Sequence, residues 1–156
     1  MMPEDNQAVS ATILRIVLTG GTAGSQTFSY REVPPEEPGT VLPPEIDDIV
    51  LEANTSYSYR LIIQGESPNG TRNLNPEIEE DGEDYIVTFD VLAANLDITL
   101  TDEDDFGDPI GLSGTFQTGT VSSGVLMFDL YFETSKASPG SGGDRLLAGD
   151  FRVEIQ

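Results

Sequence analysis

A chain of 156 residues, 37% of them hydrophobic, is long enough to close one core without staples. Its 28 acidic residues against 7 basic ones leave a formal charge of −21, a field that repels phosphate backbones and anionic lipid surfaces and so argues against nucleic acid as a partner. Cys and His are both absent, which excludes disulfides, thiolate or imidazole metal sites, an imidazole base and a Cys nucleophile.

No apolar run approaches the ~20 residues a membrane-spanning helix needs. The opening MMPEDNQ lacks the basic and apolar character of a signal peptide. Residues 1–8 are therefore expected to be a flexible tether, or an added start where a targeting segment was removed, and residues 9–156 a single domain.

From Thr12 to Leu18 the run TILRIVL alternates: Leu14, Ile16 and Leu18 share one face, Ile13, Arg15 and Val17 the other, as a half-buried strand requires. Gly20 and Gly21 end it. Phe28 and Tyr30 mark a return strand over 26–31, predicting a hairpin across 20–24. GGTAGS lacks the Lys of a phosphate loop and leads into a strand instead of a helix, so it reads as a turn.

Residues 33–48 carry five prolines, which fix φ and remove ladder donors, so this stretch reads as a connection crossing between layers or along an edge. Strands are expected at 49–54 and 56–65, with Tyr57, Tyr59, Leu61 and Ile63 on one face and Asn54 supplying the turn. A polar loop over Glu66–Asp84 precedes a strand in which Tyr85, Val87, Phe89 and Val91 alternate with Ile86, Thr88 and Asp90.

Leu96, Ile98 and Leu100 give a further strand, and DEDDFGDPIG a turn before 112–118 returns as a long hairpin. In VLMFDLYF, Leu126, Phe128, Leu130 and Phe132 form an apolar stripe that leaves Tyr131 on the other face, exposed or against a second layer. A flexible SPGSGGD then leads to a last strand bearing Phe151, Val153 and Ile155. About nine strands, 16 Gly, 10 Pro and no helical period predict an all-β protein: an antiparallel two-sheet sandwich of immunoglobulin-like type, with a β-barrel as the alternative.

The best candidate site is Thr101–Asp108, where Asp102, Glu103, Asp104, Asp105 and Asp108 crowd hard oxygen ligands of the kind Ca²⁺ takes. Asp102, Asp104, Asp105 and Asp108 are the candidate metal ligands. The spacing departs from a helix-flanked calcium loop, since the twelfth position from Asp102 is Ser113. The competing reading is an acidic hairpin turn whose Asp side chains bond nearby amides while Gly107 takes positive φ. A second acidic group, Glu77, Glu79, Glu80, Asp81, Glu83 and Asp84, reads as a solvated loop or a cation or basic-partner site. Nothing in the pattern pairs two acids as a carboxylate hydrolase would need. The aromatic platforms of carbohydrate-binding sandwiches are not legible either: Tyr57, Tyr59 and Tyr85 fall on apolar faces and read as core.

The stretches LEANTSYSYRL, PEIEEDGEDY, TDEDDFGDPIGL, SSGVLMFDLYFE and GDFRVEIQ together resemble small all-β outer-membrane lipoproteins of Bacteroidota, over nearly the whole chain. Members of that group are generally of unassigned function and are sometimes associated with outer-membrane receptors. They often carry His after the acidic run and near the end of the SSG strand, where this chain has Asp84, Tyr85 and Phe132, so an imidazole metal site is not implied. The resemblance implies an exported domain, outer-membrane-anchored, periplasmic or at the cell surface. It would touch the membrane only through a lipid anchor. The sandwich pattern, the missing catalytic residue types and the acidic surface predict a non-catalytic domain that binds an outer-membrane protein or a small ligand. A calcium-stabilised adhesion or carbohydrate-binding module is the second expectation.

Overall fold

A computed structural model describes residues 10–156 apart from 35, 36, 38 and 68. The expected tether at 1–8 lies outside the described residues. In chain order the elements are β1 (Ile13–Gly20), β2 (Gly24–Arg31), β3 (Glu45–Ile46), β4 (Ile49–Leu51), β5 (Ser56–Ser67), β6 (Gly70–Asn73), a helix α1 (Asn75–Glu80) and a 3₁₀ turn Gly82–Asp84. There follow β7 (Tyr85–Leu92), β8 (Leu96–Leu100), β9 (Ser113–Thr118), β10 (Ser122–Phe132) and β11 (Asp144–Ile155).

Two sheets result. The first has seven strands in the order β3-β2-β1-β5-β9-β8 with β6 also on β5, and the second has four in the order β4-β11-β10-β7. They do not close into one barrel. The expected hairpin across 20–24 is present, with Ile16 opposite Phe28 and Gly20 opposite Gly24. β4 pairs parallel to β11, Val153 opposite Ile49, which departs from the all-antiparallel expectation. No hairpin joins these two strands, whose partners Ile49 and Val153 lie 104 residues apart in sequence (153 − 49), so nothing local fixes their relative direction.

The alternation seen in the sequence is what packs the layers together. Leu14, Ile16 and Leu18 of β1, Leu61 and Ile63 of β5, and Leu126 and Leu130 of β10 are fully buried in one continuous core. Aromatic rings bridge the sheets: Tyr30 of β2 meets Phe128 of β10 edge-on at 5.2 Å, and Tyr59 of β5 meets Phe89 of β7 at 5.5 Å. Gly149 of β11 lies flush against the Tyr30 ring, where a Cβ would collide with it.

The structure adds to the expectation in three places. The polar loop over 66–84 holds a hairpin, a short helix and the 3₁₀ turn. The proline-rich connection contributes β3, which pairs with β2 through Tyr30–Ile46 and Arg31–Glu45. The last strand begins at Asp144, and a bulge near Leu130 and Tyr131 lets Leu146 and Leu147 both approach the core although they are adjacent.

Phe128 touches both layers, so truncation leaves a cavity that neither sheet can close. Phe128→Ala is expected to cost about 3–5 kcal/mol in urea unfolding. Phe106→Ala, at a side chain 76% exposed, should stay within ~0.5 kcal/mol. Equal losses would mean that Phe128 does not join the layers.

Candidate functional site

At one end of the sandwich the β8–β9 loop (101–112), the β10–β11 loop (133–143) and the α1–3₁₀ segment come together, and with them both acidic runs of the sequence. α1 starts at Asn75 with Pro76 in its first turn, where the missing N–H costs nothing. Glu77 in that first turn pairs with Arg72. The Asn75 amide is buried: its Oδ1 accepts from Ile63 N–H and its Nδ2 donates to the Leu61 carbonyl, each at 2.8 Å. This fastens the helix to β5 and sets the second acidic run beside the β8–β9 loop.

In that loop Asp102 spans the base. Its two carboxylate oxygens accept from the N–H groups of Gly111 at 2.8 Å and Leu112 at 2.9 Å. Asp104 builds the turn above it, with Oδ1 accepting from Phe106 N–H at 2.8 Å and Asp108 N–H at 3.0 Å. Gly107 takes a φ of +84° there, as the turn reading anticipated. Asp105 and Asp108 point toward solvent on an exposed rim. Among the described residues no three acidic side chains converge as metal ligands. Two of the four candidate calcium ligands, Asp102 and Asp104, are instead engaged with backbone amides.

The other oxygen of Asp104 accepts from Lys136 Nζ at 2.8 Å. The same ammonium donates to the carbonyls of Gly82 at 2.7 Å and Pro109 at 2.8 Å. The Asp104 side chain is 1% exposed and that of Lys136 10%. Lys136 stands just before the flexible SPGSGGD, and no motif in the sequence marks it. The available signal was its rarity, as one of seven basic residues facing 28 acids.

These contacts split the titration of the acidic end. The Lys136 ammonium, helped by the amides of Asp108 and Phe106, holds the Asp104 carboxyl below its ordinary value. Burial, followed by the charges of Glu83, Glu133 and Asp81, pushes Asp84 above its own, with Lys136 acting in the opposite direction.

Among the described residues, depressions also lie elsewhere. A groove of about 310 Å³ beside β2 is lined by Tyr30, Glu32, Val33, Val41, Leu42 and Pro44. Val41 is 92% exposed at its lip. Desolvation raises the Glu32 carboxyl, and burial, then the charges of Glu32 and Asp150, raise the Tyr30 phenol, which keeps its proton and can donate. At the far end a polar cleft of about 450 Å³ includes Asn95, Asp97, Gln117, Thr118 and Thr120. Several of its groups are engaged internally, Asn95 Nδ2 with Thr120 Oγ1 at 2.6 Å and Thr118 Oγ1 with the Glu52 carbonyl at 2.6 Å. Tyr57, Tyr59 and Tyr85 are core, as expected, whereas Tyr131 is half-buried with its hydroxyl near Gly140.

The chain matches no family model, no curated protein and no solved structure.

The two perturbed aspartates give opposite pH signatures. A lowered folded-state pKa contributes stability that is present above the ordinary value, 3.8, and lost as pH falls through the lower folded value. Asp104→Asn should therefore lower the melting midpoint at pH 7 and flatten the loss below about pH 4. A raised pKa has the reverse sign, so Asp84→Asn should raise the midpoint at pH 7, with the gain vanishing on acidification. Melting curves from pH 3 to 7 check both; shifts of the same sign would contradict the assignment.

Proposed function

We propose that the chain is a non-catalytic, exported domain of lipoprotein type that binds a basic, partly apolar segment of an outer-membrane protein, or a small ligand of that chemistry. The observation that carries the reading is the groove beside β2. It offers apolar walls from Val33, Val41, Leu42 and Pro44, a phenol donor from Tyr30, and the partly desolvated carboxyl of Glu32. Convergent polar groups on an otherwise apolar depression are the usual make-up of a recognition site.

Three further features support it. A charge of −21 favours cationic partners and steers them in. A chain without His or Cys has few ways to activate a nucleophile, which favours binding over turnover. The resemblance to Bacteroidota lipoproteins supplies the setting: outer-membrane-anchored, periplasmic or at the cell surface, with a lipid anchor as the membrane contact. On this reading the sandwich is immunoglobulin-like, its strands passing repeatedly between the two sheets.

A photo-cross-linking residue at position 41 in the natural gene product, expressed in its own cells, is expected to trap one discrete outer-membrane protein. The same residue at position 121, exposed at the opposite end, should not. Glu32→Gln is expected to weaken the cross-link about tenfold, the loss of one charge-assisted contact. Trapping from both positions, or from neither, would remove the groove from consideration. Failure of the natural product to incorporate labelled palmitate would remove the lipoprotein setting.

A further inference from the structure

The oxygen cage around Lys136 has the make-up of a cation site. One carboxylate oxygen, from Asp104, and two main-chain carbonyl oxygens, from Gly82 and Pro109, converge at 2.7–2.8 Å on one point that is nine-tenths enclosed. Hard oxygen donors of this mixture are what alkali and alkaline-earth ions take. An ammonium carries three N–H donors, and here three acceptors meet it, so its hydrogen-bonding capacity is matched. The acceptors stand 54, 32 and 27 residues from Lys136 in the chain.

We propose that this cage is a cation-binding site closed in cis: Lys136 is its resident cation, and the acidic end is ordered without a metal ion because the chain supplies the positive charge. The ammonium ties together the 3₁₀ turn before β7, the β8–β9 loop and the β10–β11 loop. Removing the lysine leaves a preformed oxygen cage sized for a primary ammonium. The wild type should therefore ignore added calcium, and a variant lacking the lysine side chain should regain order from a small amine.

Melting midpoints of the whole chain test this at constant ionic strength. For the wild type, EDTA and 5 mM Ca²⁺ are expected to give midpoints within about 1 °C of each other, since a ligand with no site on the native state does not move the equilibrium. Lys136→Ala should lose about 6 °C or more, the usual consequence of stranding a buried partner in a domain of this size. Methylammonium should restore part of that loss, and tetramethylammonium, which has no N–H to donate, should not.

A calcium-dependent midpoint in the wild type, an unchanged midpoint in K136A, no recovery with methylammonium, or equal recovery with tetramethylammonium would each overturn the proposal. If K136A does not fold, the pair D104N and K136M decides. A D104N/K136M double variant that loses clearly less than the sum of the two single losses supports the cage, and additive losses overturn it.

Discussion

Folding a chain with 28 acids and only 7 bases is a problem of finding positive charge, and at Asp47, Glu52, Asp102 and Asp104 backbone amides supply it. An N–H aimed at a carboxylate is a fixed partial positive charge that loses no side-chain entropy. Asp47 accepts from Ser29 N–H at 2.9 Å and in doing so continues the edge of β2 beyond β3. Glu52 accepts from the N–H and the hydroxyl of Thr22, both at 2.7 Å, and is held below its ordinary value mainly by that hydroxyl. Asp102 and Asp104 follow the same rule. The side-chain cations are then left for positions where chain segments must be joined: Arg31 sits between Glu45 and Glu66, tying β3 to the end of β5. Solvent screening weakens pairs of this kind, so their role is placement more than strength.

A second constraint concerns β5, which changes partner along its length. Its start pairs with β9 and its end with β6, which leaves the residues between them without a strand on that side. Leu61 N–H is met by the Leu112 carbonyl at 2.8 Å, and the Ile63 carbonyl by Leu74 N–H at 2.8 Å. The Asn75 amide closes the remainder, presenting an acceptor and a donor as a strand residue would. A buried amide earns such a position only when both its ends are satisfied, as they are here. Because Asn75 also opens α1, the repair of the sheet and the position of the second acidic run are one and the same contact.

The layers were legible in the sequence because period-2 alternation reports burial directly. Leu14, Ile16 and Leu18, and Leu126, Phe128, Leu130 and Phe132, occupy the core positions their spacing predicts. Short or irregular elements left no such trace. α1 spans six residues, too few for a helical period to register, and its fixing point is one buried Asn in a polar run. β3, at two residues, is too short to alternate, and the bulge that admits both Leu146 and Leu147 breaks the alternation that would have announced the start of β11. The crowded carboxylates at 102–108 were legible as a group, but composition cannot distinguish oxygens aimed at an ion from oxygens aimed at amides two to ten residues onward. Lys136 was hidden by distance: its partners are remote in sequence and two of them are main-chain carbonyls that any residue type supplies.

Electrostatically, then, the two regions that could matter for function are opposites. At the acidic end the carboxylates that organise the β8–β9 loop are already matched, Asp102 by amides and Asp104 by amides and an ammonium, and the outward rim includes Glu79, Glu80, Glu103, Asp105, Asp108 and Glu133. Such a rim steers by long-range field and is screened by salt. In the groove, Glu32 is exposed, and partial desolvation raises its carboxyl. A carboxylate with its oxygens open to solvent has more to gain from an arriving cation than one whose oxygens are already taken by amides. A ligand that brings positive charge together with apolar surface for Val41 and Leu42 meets both features of the groove at once, whereas an anion would meet only repulsion from Glu32 and the surrounding field.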